Sequence, residues 1–471
     1  MSYRVIRRVG NNRYAYEVVS VWDKKKKMPV QKTIKYLGPV DKKGNIRERK
    51  QKPLTVVDYG DVMTAKSVFE KTKLPRIIEN LPFDNEQKQL IEIMLLNKVV
   101  SPLADYQLED WIRGNYLSYL YDISLDSRKI SRMFKQIGRK DIANIYFDIV
   151  RRMLRIKNVV AYDITTLPTT VDLILSEWGR CGNGKDKVVK LAVFFDVQTK
   201  TPLYFRLITG NVQDVSTLSD LIEYICKFLP KNTHFCLVLD RGFYSSSNIK
   251  ALNLMHKEMQ LDFIIPIPKT TSLFYRLVNR NKNIVKAKNQ FLINGKYVYG
   301  TKTKYGSSFI YVFYSPQKFL HDIEKANIAL ISGKVNKKNL DKKLSASGYT
   351  VIMSTIDTEP EKILKKYYQR SYLEKSYSYL KSKIKMLPIR HHTEETAIAH
   401  IFISILSLSL YWYIHEKLKE KYSLEHAFLL LRRIKAKIYD ENRVFLTEIG
   451  KKEKEILKLL NLNIVSKICG I

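Results

Sequence analysis

Residues 367–381, YYQRSYLEKSYSYLK, carry four polar side chains at helical spacing: Tyr367, Arg370, Glu374 and Lys381. At about 100° per residue, these positions fall within roughly 60° of arc on one α-helix. An apolar stripe lies beside them and is formed by Leu373, Tyr377, Leu380, Ile384 and Leu387. A carboxylate among three phosphate-binding side chains suits a site that holds a metal ion on nucleic acid. The alternative is a solvated helix face with chance i, i+4 pairs.

Composition narrows the class of partner. The chain has 471 residues, enough for about two to four units with large cores. Its formal net charge of +36 is spread along the whole length. Because such an excess repels itself in a compact chain, it favours a polyanionic partner, and its spread favours a protein that lies along DNA. An anionic membrane surface is the alternative partner.

The cysteines and the apolar segments bear on the compartment. Cys181, Cys226, Cys236 and Cys469 form no CxxC pair, so neither a zinc site nor a disulfide framework is indicated. The N-terminus has no apolar core of signal-peptide length. Residues 396–414 are long and apolar enough for a membrane span, but they contain His400 and several hydroxyl residues, and we interpret them as a buried core helix. We expect a cytoplasmic, nucleoid-associated protein without a membrane partner.

The first third of the chain divides into two predicted regions. Residues 1–55 predict a small, basic β unit with a hairpin whose tip carries four lysines, residues 24–27. Residues 56–155 predict a helical DNA-binding region. Within it, SLDSRKISRMFKQIGRK (124–140) predicts a capped helix with one apolar face and several basic residues elsewhere around it. This helix could read DNA or could be an ordinary surface helix.

From residue 156 the pattern changes to that of an α/β domain, predicted to span residues 156–268 and 359–415. Strand and helix patterns follow in the order β-β-β-α-β-α-β, with NVVAYDITTL and HFCLVLDRGF as buried strands ending in Asp163 and Asp240. Residues 269–358, rich in Lys, Asn, Gly and Tyr, predict a β-rich insertion. Residues 416–471 predict a helical C-terminal region.

Three carboxylates form the predicted metal site: Asp163, Asp240 and Glu374. The two aspartates end neighbouring strands, where side chains reach from a sheet into a cleft. Glu374 projects from a helix that could lie against that sheet. Oxygen ligands suit Mg²⁺ or Mn²⁺, and two such ions about 4 Å apart would activate a nucleophilic oxygen and stabilise a leaving one. The alternative for each aspartate alone is a helix or turn cap.

The chain resembles insertion-sequence transposases of the DDE type, in the group marked by a Y-x2-R-x3-E-x6-K signature. Tyr367, Arg370, Glu374 and Lys381 match every position of that signature. YDITTL around Asp163 and LDRGFYSSSNI at 239–249 resemble the motifs of the family's two aspartates, and GNVQDVSTL (210–218) resembles another family segment. The resemblance covers about residues 155–415.

The resemblance implies an RNase-H-like mixed sheet flanked by helices, with the β-rich insertion before the glutamate helix. It implies that Asp163, Asp240 and Glu374 bind two Mg²⁺ or Mn²⁺ ions. Tyr367, Arg370 and Lys381 would contact DNA phosphates, the arginine as a bidentate partner and the lysine as a point charge. Family members can stack a Trp of the insertion on a displaced base, but residues 269–358 contain no Trp. The aromatic residues available there are Phe274, Tyr275, Tyr305, Phe309 and Tyr311.

We therefore expect a DNA transposase that cleaves the ends of an insertion sequence and joins the freed 3′-hydroxyls to target DNA. By analogy with the pairing of two ends, we expect a homodimer on double-stranded DNA. Two alternatives are a nuclease or resolvase on the same fold, without strand transfer, and a catalytically inactive DNA-binding protein derived from a transposase.

Overall fold

The computed structural model describes most of the chain. The described residues are 2–41, 44–46, 53–121, 123, 125–153, 159–181, 184–228, 234–259, 261–332, 340–341, 344–418, 421–440, 443–463 and 467–469. They belong to two compact units. One unit comprises Met1–Val57, Lys435–Thr447 and Val465–Ile471, and the other comprises Asp58–Ile434 and Glu448–Ile464.

The bounds of the regular elements are as follows. The strands are β1 (Ser2–Val9), β2 (Asn12–Asp23), β3 (Met28–Val40), β4 (Thr55–Asp58), β5 (Val159–Pro168), β6 (Glu177–Cys181), β7 (Gly184–Asp196), β8 (Thr201–Thr209), β9 (Cys236–Val238), β10 (Asp262–Pro266), β11 (Gln290–Ile293), β12 (Lys296–Tyr305), β13 (Ser308–Tyr314), β14 (Tyr349–Ser354), β15 (Lys435–Asp440), β16 (Arg443–Leu446) and β17 (Lys467–Cys469). The α-helices are α1 (Gly60–Glu70), α2 (Leu74–Glu79), α3 (Asn85–Val100), α4 (Leu108–Arg113), α5 (Ser127–Arg139), α6 (Ile142–Met153), α7 (Asp214–Phe228), α8 (Ser246–Met259), α9 (Ser272–Arg280), α10 (Pro316–Ile331), α11 (Pro360–Tyr368), α12 (Ser371–Ser382), α13 (Glu394–Leu418), α14 (Leu424–Leu431) and α15 (Lys451–Leu459).

The first unit contains two small sheets. β2 and β3 form the predicted hairpin, with lysines 24–27 in its turn, and β1 pairs antiparallel with β2 as a further strand that the sequence analysis did not predict. The second sheet has the order β17-β16-β15-β4. The prediction that residues 416–471 are helical is therefore wrong for β15, β16 and β17. Ala436 and Ile438 in β15 are buried at every second position, which is the period of a strand.

A mixed sheet forms the centre of the second unit. Its strand order is β11-β12-β13-β14-β10-β9-β5-β7-β6, and β8 also pairs with β7. The pairs β5–β9 and β9–β10 are parallel. These three strands are apolar and largely buried, as is usual for parallel strands. β6 is one strand more than the predicted order, and β14 pairs with β10, so the strands of residues 269–358 extend the central sheet.

Helix α13 is the buried core helix expected over residues 396–414. It is long and apolar enough to cross a membrane, but 83% of its most apolar window is buried by the protein. Helix α5 packs across it, and Gly138 lies at the crossing. A Cβ atom added to Gly138 would lie 1.8 Å from the carbonyl oxygen of Glu395, so the absence of a side chain permits the close approach.

The prediction of one helix over residues 367–381 is wrong. Helix α11 ends at Tyr368 and α12 begins at Ser371, with Gln369 and Arg370 between them. The Arg370 amide donates to the Tyr367 carbonyl at 3.1 Å, and the Leu373 amide donates to the Arg370 carbonyl at 2.9 Å. These three-residue hydrogen bonds tighten the chain as in a 3-10 helix, so the angles of one straight helix do not apply across the junction.

The cysteine prediction can be examined at one position. Cys236 is buried in β9 and carries a free thiol. The side chains of Cys181, Cys226 and Cys469 lie outside the described residues.

Candidate active site

The two aspartates lie at equivalent positions relative to the neighbouring parallel strands β5 and β9. β5 and β9 pair in register up to Ala161↔Val238, and Asp163 and Asp240 each lie two residues further on. Residues two apart share a face of a strand, and neighbouring strands are about 4.8 Å apart, so the two side chains leave the sheet side by side. The prediction that β5 ends at Asp163 is wrong, because β5 continues to Pro168 against β7. It is β9 that has ended at this level.

Buried hydrogen bonds anchor the turn that follows Asp240. Asn248 is only 2% exposed, and its side-chain amide is a hydrogen-bond donor. It donates to the Phe243 carbonyl at 2.8 Å and to the Val215 carbonyl at 2.9 Å. These bonds tie the turn to the start of α8 and to segment 210–218, which the sequence analysis had singled out. The position of Asp240 therefore depends on contacts between three separate parts of the chain.

Helix α12 places Glu374 beside the sheet. Its apolar residues Leu373 and Leu380 are each 1% exposed, which holds the helix on the core. The Tyr377 hydroxyl donates to the backbone carbonyl of Asp163 at 2.6 Å. This bond joins the glutamate helix directly to the strand that carries the first aspartate.

Lys381 supplies a second link between α12 and β5. Its ammonium donates to Thr165 Oγ1 at 2.7 Å and to the Thr166 carbonyl at 3.0 Å. The structure thus places this signature lysine against the strand, two to three residues beyond Asp163. Thr165 and the Tyr377 hydroxyl are partners that the sequence analysis did not identify, although both lie within the motifs it quoted.

Arg370 contacts all three predicted carboxylates. Its Nη2 lies 2.5 Å from Glu374 Oε1 and 3.5 Å from Asp240 Oδ1, and its Nη1 lies 3.5 Å from Asp163 Oδ2. The arginine side chain is only 14% exposed. The structure therefore brings the three acids around one guanidinium, which supplies the positive charge that such a cluster requires.

Burial and charge shift the protonation of this cluster. Burial, with a smaller contribution from the nearby Asp240 and Glu374, raises the pKa of Asp163 to about 6 against the opposing attraction of Arg370. Burial also raises the pKa of Tyr367 to about 12. The tyrosine ring lies beside the guanidinium, with 6.0 Å between its centroid and Arg370 Cζ. Tyr367 thus keeps its proton at neutral pH and can donate a hydrogen bond.

The donor set fits Mg²⁺ or Mn²⁺ in chemistry, because all three side chains offer carboxylate oxygens. In this structure the positive charge between the three carboxylates is that of the Arg370 guanidinium. Among the described residues, one group of three has its possible metal-ligand atoms within 4.8 Å of one another, and it consists of Asp105, His391 and His400. The three carboxylates around Arg370 do not form such a group. The three carboxylates are therefore farther apart in this structure than the members of that group.

The predicted DNA-contacting helix has the exposure that contact requires. On α5, Arg128, Arg132, Lys135 and Arg139 are exposed, while the apolar face is buried.

Of the aromatic residues considered for base stacking, Phe274 and Tyr311 are buried, whereas Tyr305 is 48% exposed. Tyr311 also donates its hydroxyl to the Ile356 carbonyl at 2.6 Å, as expected for a packing role.

Comparison with known proteins gives one family match. The family model described as "Transposase DDE domain" matches residues 155–410. Among solved structures, the chain is similar to the piggyBac transposase synaptic complex with hairpin DNA, at 10% identity and a TM-score of 0.40 over 79% of this chain and 70% of that chain. It is also similar to the Drosophila P element transposase strand transfer complex, at 14% identity and a TM-score of 0.19 over 77% and 89% of the two chains.

A third similarity is to the Mos1 transposase paired-end complex with the left transposon end. The identity is 14% and the TM-score is 0.16, over 45% of this chain and 60% of that chain. No curated protein matches the sequence.

Proposed function

The chain belongs to the transposase DDE domain family, and from that membership we propose that it cleaves the ends of an insertion sequence and joins them to target DNA. The observation that carries the proposal is the contact of one guanidinium with three carboxylates. These acids are far apart in sequence and come from strand β5, the turn after β9 and helix α12. Such a concentration of negative charge is costly in a structural core and is expected where cations are bound.

We assign the metal-binding role to Asp163, Asp240 and Glu374. When bound, two Mg²⁺ or Mn²⁺ ions would supply activation of the attacking oxygen and stabilisation of the leaving one. The three carboxylates would hold and orient the ions on the sheet edge. Arg370 would leave the cluster as they bind, because a guanidinium and a divalent cation compete for the same oxygens.

The remaining signature residues suit DNA contacts near this site. A released Arg370 could bind a phosphate through two parallel N–H bonds. Tyr367, with its pKa raised to about 12, would donate its hydroxyl to a phosphate oxygen. Lys381 would act as a point charge beside β5, where Thr165 and Thr166 hold it. With these roles, we propose that the chain belongs to the group with the Y-x2-R-x3-E-x6-K signature.

We further propose that the catalytic fold is RNase-H-like. The support is the strand order β8-β7-β5-β9-β10, in which the first three strands are antiparallel neighbours and the last three are parallel. The first two acids follow the paired parts of the adjacent strands β5 and β9, and the third comes from a helix packed on β5. Such a sheet edge is where ligands bind in open α/β sheets.

Double-stranded DNA is the proposed partner, as transposon ends and as target. The net charge of +36 supports a polyanionic substrate. Joining two ends in one reaction calls for two active sites, so we propose a homodimer on DNA. A chromosomal substrate implies a cytoplasmic, nucleoid-associated location.

The test is incubation of the purified protein with duplexes carrying the ends that flank its own coding region, with Mg²⁺ or Mn²⁺. Mapped breaks at the ends and joined products in target DNA are the expected result. Breaks without joined products would favour the nuclease or resolvase alternative. Cleavage that is absent, or unchanged in Asp240→Asn, would refute the assigned chemistry and favour an inactive DNA-binding protein.

A further inference from the structure

Asp105, His391 and His400 form a second cluster of metal-ligating side chains. Asp105 lies in a 3-10 turn after α3, His391 lies in the segment between α12 and α13, and His400 lies in the second turn of α13. One donor atom from each lies within 4.8 Å of the other two. The cluster shares no residue with the three carboxylates around Arg370, and no motif in the sequence brings its members together.

The hydrogen bonds of His400 define its tautomer. Its Nε2 lies 3.1 Å from the Met386 carbonyl oxygen, which can only accept, so Nε2 carries the proton. In the neutral ring Nδ1 then presents a lone pair. Nδ1 is buried, and among the described residues it has no hydrogen-bond partner. It faces Asp105 Oδ2 at 3.8 Å.

This arrangement sets a lone pair against a carboxylate oxygen, which is unfavourable unless a cation lies between them. A proton on Nδ1 would also satisfy the carboxylate, but it would make the buried ring a cation. Lys98, another cationic residue, lines the same cavity, so this second positive charge would be unfavourable. A metal ion removes the conflict, since both atoms can donate to it. The bond from Nε2–H to a backbone carbonyl is also the usual outer contact of a metal-bound histidine.

The distances agree with a tetrahedral ion. His391 Nε2 lies 3.3 Å from the same Asp105 Oδ2. Ligands about 2.0–2.2 Å from a tetrahedral Zn²⁺ are about 3.3–3.6 Å apart, so the two distances to Asp105, 3.3 and 3.8 Å, require shifts of only a few tenths of an ångström. The two histidine nitrogens lie within 4.8 Å of each other. Two imidazole nitrogens and one carboxylate oxygen favour Zn²⁺ over Mg²⁺.

We propose that Asp105, His391 and His400 bind one Zn²⁺ ion that joins the turn after α3 to α13. The cluster borders a cavity of about 420 Å³, which leaves room for water at a fourth position. The ion would connect the helical region before residue 155 to the core helix of the α/β region. The proposal does not rest on the transposase activity.

The test measures binding in chelator-treated full-length protein. Zn²⁺ is titrated by calorimetry, and Co²⁺ is used as a spectroscopic substitute whose visible absorption reports low coordination number and nitrogen ligands. Every measurement is repeated in Asp240→Asn, so that Zn²⁺ held by the three carboxylates is recognised. We expect one equivalent of Zn²⁺ that survives Asp240→Asn, and an intense Co²⁺ band in the wild-type chain.

The ligand variants are His391→Gln and Asp105→Asn, and His392→Gln is the matched control because His392 is the exposed neighbour in the sequence. Each ligand variant should weaken Zn²⁺ binding by more than the roughly 10–100-fold typical of losing an outer partner of a ligand. The control should bind as the wild type does. Circular dichroism establishes that each variant is folded.

Two results would overturn the proposal. One is that the wild-type chain takes up no Zn²⁺ and gives no intense Co²⁺ band. This result does not depend on whether any variant folds. The other is Zn²⁺ binding that persists unchanged in both folded ligand variants. Failure of the DNA cleavage assay alone would affect the proposed function and leave this site standing.

Discussion

Arg370 Nη2 lies 2.5 Å from Glu374 Oε1, one helical turn away, and the same guanidinium reaches both strand aspartates. The arginine that the signature assigns to DNA is thus the counter-charge of the acids in the DNA-free chain. One residue would therefore have two successive partners, first the carboxylates and then a phosphate.

Arg370→Gln should tighten Mn²⁺ binding while abolishing DNA cleavage. Removing the guanidinium removes a cation that competes for the same oxygens, so we expect the Mn²⁺ dissociation constant to fall about tenfold or more. Calorimetric titration measures it. Lys362→Gln, at an exposed position of α11, is the control for loss of one positive charge. An Mn²⁺ affinity that is unchanged or weaker in Arg370→Gln would contradict the exchange of arginine for metal.

Asp163→Asn should stabilise the metal-free chain above pH 6. The pKa of Asp163 is raised from 3.8 to about 6 by burial, so the folded state holds a proton that the unfolded state releases. The free energy that folding loses by ionising Asp163 is zero below about pH 4, grows between pH 4 and 6, and reaches its full value above pH 6. We expect a gain of about 1–3 kcal/mol at pH 7–8 that disappears towards pH 4.

Denaturant unfolding across that pH range, with chelator present, tests this gain. Asp172→Asn changes an exposed carboxylate and should show no comparable pH-dependent gain. Equal stability of Asp163→Asn and wild type at pH 8 would show that ionised Asp163 is not held at a cost.

Asp163→Asn, Asp240→Asn and Glu374→Gln should each lose metal-dependent cleavage but retain DNA binding. Each removes one carboxylate from the proposed ion site, whereas the net positive charge that attracts DNA is preserved or raised. Cleavage of end duplexes and gel-shift affinity are measured side by side. Asp186→Asn, at an exposed position of β7, is the matched control. Wild-type cleavage by any one of the three variants would remove that residue from the site.

Tyr377→Phe should lower cleavage more than it lowers stability. It removes the hydroxyl that donates to the Asp163 carbonyl at 2.6 Å, at a cost of about 0.5–1.5 kcal/mol. Because that bond helps to hold the glutamate helix against β5, its loss should weaken metal binding by the three carboxylates. Tyr379→Phe is the comparison, because among the described residues its hydroxyl makes only a 3.4 Å contact with His415. Equal cleavage rates in the two variants would deny Tyr377 a positioning role.

Gly138→Ala should destabilise the chain by about 1–3 kcal/mol or more, because its Cβ would lie 1.8 Å from the Glu395 carbonyl oxygen at the α5–α13 crossing. Gly114→Ala is the control, since the atoms nearest its added Cβ are at 3.5 Å, an ordinary contact distance. Thermal unfolding of both variants measures the difference. A similar small effect of both substitutions would mean that the helices can move apart at little cost.

Local patterns were enough for much of the fold. Short apolar runs predicted strands β5, β7 and β8, and the His400 and hydroxyl side chains within residues 396–414 predicted a buried helix rather than a membrane span. The patterns failed where long-range contacts decide. Nothing in residues 367–381 shows that the helix breaks at Gln369, and the strands near the C-terminus were hidden among helical neighbours.

The sequence by itself determined the identity of the acids and of the signature residues, because side-chain chemistry and spacing are local properties. Only the tertiary structure decided that β5 and β9 align at Ala161 and Val238, that Arg370 fills the space between the acids, and that two histidines meet Asp105. These relations join residues separated by tens to hundreds of positions. Strand register and side-chain packing determine these relations, and the hydrophobic period of a segment does not show which distant residues it will contact.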